Sequence, residues 1–123
     1  MAEFKEITCS RELGEILDES CQRRIILFKH STTCSISAHA WQEMQDFIRE
    51  SSAEVLVVMI KVIESRPVCS QVTEDLGVKH QSPQVLLLSN RKVLWHASHQ
   101  AVTKNNILKA LEGEISPFNL STL

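Results

Sequence analysis

The stretch RIILFKHSTTCSIS, residues Arg24–Ser37, decides the fold. Its first part, Arg24–Phe28, is apolar without alternation, the signature of a β-strand buried on both faces. After its last part, Ile36, Ala40, Trp41, Met44, Phe47 and Ile48 recur at helical spacing as far as Glu50. Between strand and helix stand a short polar loop and a thiol, Cys34.

Outward from this unit the same alternation continues. Toward the N-terminus, Glu3–Ile7 is a strand candidate. Ser10 is placed to cap a helix whose apolar positions are Leu13, Ile16, Leu17 and Cys21. Toward the C-terminus, Glu54–Val62 is a second buried strand. Pro67 suits the first turn of a short helix ending near Gly77. Gln84–Ser89 is a third apolar strand. Asn90–Lys92 turns the chain into Val93–Ala97, so the two runs predict a hairpin. Thr103 is placed to cap a last helix carrying Ile107, Leu108 and Leu111 and closed by Gly113. The order βαβαβαββα predicts an α/β fold with helices on both faces of a central mixed sheet, parallel but for the antiparallel hairpin at its end. Pro83, just before the third apolar strand, marks a site where a cis peptide is allowed.

The totals set bounds. The 123 residues are 43% hydrophobic and 23% charged, which suits one domain, residues 1–123, with one core. A net charge of −2 gives a nucleic-acid partner no electrostatic support. No apolar run approaches the roughly 20 residues of a membrane span. The opening MAEFKEITCS lacks a signal pattern, so the expected location is cytoplasmic, where thiols stay reduced. None of the four cysteines, Cys9, Cys21, Cys34 and Cys69, forms a C-x-x-C pair, so neither a zinc knuckle nor a dithiol site is expected, and no metal is expected.

Cys34 falls beyond the carboxyl end of a strand, where open α/β sheets bind ligands. It also stands at a helix start, where backbone N–H groups lack helical acceptors and the macrodipole is positive. Cysteines so placed titrate well below the usual value of about 8.5. Free cysteine is also a common apolar filler, but the polar flanks STT and S favour a reactive thiol here. Ser37 stands three residues on, where a second cysteine would resolve a mixed disulfide. A hydroxyl forms no sulfur–sulfur bond, although it can donate a hydrogen bond to a thiolate. An adduct on Cys34 would therefore need an external thiol, or another cysteine of the chain, to remove it.

The segments FKHSTTCSISAHAWQE and HQSPQVLLLSNRKVLWHASH, with the closing helix, resemble the YtxJ-like monothiol bacilliredoxins, from about Phe4 to Leu111. That resemblance implies a thioredoxin-like fold and a thiol–disulfide oxidoreductase. Its cofactor requirement would be none, with bacillithiol as thiol co-substrate and S-bacillithiolated proteins as clients. It implies that Cys34 is the active cysteine, Ser37 its non-resolving companion and Pro83 a cis-proline facing the thiol. Thr33, Ser35, Ile36 and Ser82 would complete the substrate contacts. Ser35 departs from the proline expected in the motif and leaves one more N–H at the helix start.

Other residues invite competing readings. Cys69, at another helix start, is a candidate resolving or accessory thiol, set against a plain helix-start role. His30 is a candidate to stabilise the Cys34 thiolate, and His80 to border the site. His39 is expected to face solvent. Strand alternation would send His96 and His99 to opposite faces. Trp41 and Trp95 are expected in the core or at its rim, Cys9 and Cys21 as core or surface filler. Two rival functions stand beside the exchange enzyme. One is an iron–sulfur carrier of monothiol-glutaredoxin type, though CSIS lacks the glycine of C-G-F-S. The other is a redox-sensing stress protein whose Cys34 is modified without turnover.

Overall fold

The computed structural model describes residues 2–51 and 54–113. Its elements follow the expected order: β1 (Glu3–Glu6), α1 (Ser10–Glu19), β2 (Ile25–His30), α2 (Ser35–Glu50), β3 (Leu56–Lys61), α3 (Arg66–Leu76), β4 (Gln84–Ser89), β5 (Lys92–Ser98) and α4 (Lys104–Leu111). A single 3-10 turn at His99–Ala101, not expected from the sequence, joins β5 to α4.

The five strands form one sheet in the order β1-β3-β2-β4-β5. β3 runs parallel to both β1 and β2, whereas β4 runs antiparallel to β2 and to β5. The sheet is therefore mixed at its centre, and the hairpin docks as a unit against β2. The central strands are buried on both faces, so their apolar residues sort by parity. Ile26, Phe28, Val57, Met59, Val85 and Leu87 pack under α2 and α4, against Met44, Phe47 and Ile107. Ile25, Leu27, Val58, Ile60, Leu86 and Leu88 pack under α1 and α3, against Leu13, Ile16, Val68 and Val72.

The chain ends its elements with recognisable devices. Thr103 Oγ1 accepts the Asn106 N–H at 3.1 Å, the N-cap expected of it. Gly77 closes α3 with φ +70, a left-handed conformation that a side chain would strain. At the hairpin turn Asn90 and Arg91 both take positive φ, 52 and 63, the conformation that matches strand twist in a two-residue turn.

Three expectations need correction. Cys9, not Ser10, is the N-cap of α1, and the Glu12 carboxylate accepts the Thr8 N–H at 2.9 Å there. Cys21 lies beyond the end of α1 and is exposed, because the helix closes at Glu19 on a buried Ser20. On α4 it is Ala110 that is buried with Ile107, while Leu108 is exposed.

Candidate active site

Register places the site. Lys29 of β2 pairs with Gln84 of β4, and Gln84 pairs with Ser98 of β5. His30 pairs with Lys61 of β3. The segments just past these pairs therefore leave the sheet at one end: the loop to Cys34, the Ser82–Pro83 step, Val62 and His99. The Ser82–Pro83 peptide is cis, and the Pro83 carbonyl accepts the His99 N–H at 2.9 Å. Pro83 is buried and Ser82 partly so, its Oγ buried without a hydrogen-bond partner among the described residues.

Cys34 is the N-cap of α2, in extended conformation (φ −111, ψ 130), and partly exposed. The first helical bond is that from the Ala38 N–H to the Cys34 carbonyl, at 3.0 Å. The N–H groups of Ser35, Ile36 and Ser37 precede it and have no acceptor within the helix. No side chain caps them among the described residues. They are the donors available to an anion at the Cys34 sulfur. Thr33, Ser35 and Ile36 are exposed around it.

The structure uses Ser37 differently from a partner of the thiolate. Ser37 is 0% exposed. Its Oγ accepts the Ser31 N–H at 2.9 Å and lies 2.9 Å from Nδ1 of His30. Burial, and then the charge of Lys61, hold the His30 imidazole below its ordinary range, against the opposing pull of Glu64. The Ser37 hydroxyl thus holds both the Ser31 N–H and the His30 ring nitrogen. The hydroxyl is thereby a strut between β2 and the first turn of α2. His30 acts on this hydroxyl, and its ring stacks on Phe28, centroids 5.6 Å apart, with Trp41 tilted against it at 5.8 Å.

The remaining candidates separate. Cys69 is buried on α3, on the sheet face opposite α2. His80 is exposed, with Nδ1 3.3 Å from Nζ of Lys29. His39 is exposed, as expected. His96 and His99 do not point to opposite faces: His99 has left the strand for the 3-10 turn, and both line one cavity with Gln84. Trp95 is in the core and Trp41 at its rim.

Sequence reading missed Lys29. It is fully buried, under α3, and pairs with no carboxylate among the described residues. Its signal was parity: Ile25, Leu27 and Lys29 share one face of a strand that is buried throughout.

A cis-proline and a helix-start cysteine at one end of a sheet in this order define a protein of thioredoxin fold. Solved structures agree. A protein described as having a thioredoxin fold superposes with a TM-score of 0.79 at 22% identity, over 88% of this chain and 93% of that one. Fasciola hepatica thioredoxin gives 0.73 at 11%, over 90% and 99%. Spinach chloroplast thioredoxin f, short form, gives 0.70 at 12%, over 91% and 93%. Within that class the chain belongs to the monothiol bacilliredoxin family, whose model, Monothiol bacilliredoxin BrxC, matches residues 5–107. No helix among the described residues is long and apolar enough to cross a membrane.

Proposed function

We propose that this protein removes bacillithiol from S-bacillithiolated proteins by monothiol exchange at Cys34. The observation that carries the reading is the placement of Cys34, partly exposed at the N-cap of α2, in a chain of the bacilliredoxin family. The Cys34 thiolate attacks the bacillithiol sulfur of the client's mixed disulfide. A new S–S bond forms between Cys34 and bacillithiol as the old one breaks. The client sulfur leaves as a thiolate and takes a proton from solvent. The N–H groups of Ser35, Ile36 and Ser37 at the helix start are donors available to the attacking sulfur.

Ser37 cannot complete the cycle, since its oxygen forms no disulfide and is held by Ser31 and His30. A second thiol, bacillithiol itself or a partner protein, attacks the Cys34 adduct and regenerates the enzyme. Bacillithiol thus enters as co-substrate, and the cycle needs no metal or nucleotide. Thr33, Ser35, Ile36 and the Ser82–Pro83 backbone frame the sulfur that is attacked.

The test is client release followed by mass spectrometry. A bacillithiolated client should lose its adduct with the wild-type protein and keep it with Cys34→Ala. Equal release by both would remove the proposal. A brown, visible-absorbing protein after anaerobic reconstitution, without client release, would favour the iron–sulfur carrier instead.

A further inference from the structure

On the α3 side of the sheet lies a cavity of about 500 Å³, within the size range of small-ligand sites. Val62, Arg66, Cys69, Ser70, Thr73 and His80 line it. Cys69 is 4% exposed overall, so this cavity is the route to its sulfur. Behind it stands Lys29, 0% exposed, whose Nζ lies 3.3 Å from Nδ1 of His80. Lys29 and Cys69 are close enough to act on each other electrostatically. Arg66 brings a guanidinium to the wall, and no carboxylate lines the cavity. A thiol, an imidazole and a guanidinium therefore line one ligand-sized space, with the buried Lys29 amine against the imidazole.

We propose that this cavity is a second thiol-exchange site, at which Cys69 takes up one half of a small, carboxylate-bearing disulfide. Arg66 pairs with a carboxylate of the ligand, a match its planar fork favours. The Cys69 thiol loses its proton to solvent, and the positive charge of Lys29 favours the thiolate that remains. The thiolate attacks the nearer sulfur of the ligand, and the Cys69–ligand S–S bond forms as the ligand's own S–S bond breaks. The departing half leaves as a thiolate and collects a proton. Cys69 is oxidised and the departing thiol reduced, so the incoming disulfide is the oxidant. Burial disfavours both the Lys29 ammonium and the Cys69 thiolate, and each charge offsets part of the other's cost. Cys69 lies on the sheet face opposite α2.

The test uses the full-length Cys34→Ala protein, so that it does not depend on the function proposed for Cys34. Glutathione disulfide is the carboxylate-bearing probe and cystamine the cationic one. Peptide mapping by mass spectrometry separates Cys69 from the exposed Cys9 and Cys21. A glutathione adduct should appear on the Cys69 peptide of the folded protein. Lys29→Met should slow it roughly tenfold, as expected for a thiolate fraction lowered by one pKa unit. Arg66→Gln should slow loading by glutathione disulfide and leave cystamine loading unslowed. Thermal melts confirm that each variant is folded, and Arg66, on the surface, decides the matter if Lys29→Met is not. Absence of an adduct on Cys69 while Cys9 and Cys21 load would overturn the proposal. So would loading at Cys69 that neither substitution alters.

Discussion

Replacing Ser37 with alanine removes one oxygen and both hydrogen bonds that fix the first turn of α2 to β2. The Ser31 N–H loses its acceptor and His30 Nδ1 its hydrogen-bond partner. His30 is buried, so its nitrogen gains little from water, while Ser31 is partly exposed and recovers part of its loss. A buried polar group left unpaired costs about 1–3 kcal/mol. One such group in full and one in part give a loss of about 2–4 kcal/mol for Ser37→Ala. The assay is urea unfolding followed by Trp fluorescence, since Trp41 packs against His30. The coupling is isolated by a double-mutant cycle with His30→Phe, which keeps a ring on Phe28 and deletes the ring nitrogen that meets Ser37. Contacting residues in such cycles couple by about 0.5–3 kcal/mol. A loss below about 0.5 kcal/mol for Ser37→Ala, the level of a neutral surface change, would refute the strut. Additive effects of the two substitutions would refute the pairing with His30.

Three further outcomes follow from the same geometry. His30 is held below its ordinary range, chiefly by burial, so the unfolded chain binds that proton first. Stability should therefore be full above about pH 6.5 and fall as pH drops below it. Melts across pH 4–8 should show that limb, flattened in His30→Phe. Ser35→Pro should be tolerated and stabilising by about 0.4–1 kcal/mol, because Cys34 already has the extended conformation a following proline demands. A drop in melting temperature would contradict that. Arg91→Gly should be neutral to stabilising by about 1 kcal/mol, since it relieves a left-handed residue and gives up only an exposed ion pair to Asp18. Calorimetry reads the sign.

The order of elements was legible because the buried strands carry unbroken apolar runs and the helices carry a clear period. The hairpin, the Gly77 stop and the Thr103 cap followed from single residues with one physical use each. Cys21 misled because its spacing continued the α1 stripe, while nothing in composition marks Glu19 as the last turn. The site was partly legible. Cys34 and the Ser82–Pro83 step are local features, readable from the residues beside them. What Ser37 touches is not local to its motif: its hydroxyl meets a ring seven residues back, on the strand. The Lys29 cluster is less legible still, because it joins β2, α3 and the segment before β4. Only sheet register shows that a lysine at a strand end is sealed under a helix.

In the proposed cycle Cys34 is a single nucleophile with no resolving partner in the chain. The direct measurement is intact mass and peptide mapping of this protein after one turnover on a bacillithiolated client. The expected result is a bacillithiol adduct on the Cys34 peptide that persists until an external thiol is added. A chain that returns unmodified, or that loses two hydrogens to an internal disulfide through Cys34, would contradict it.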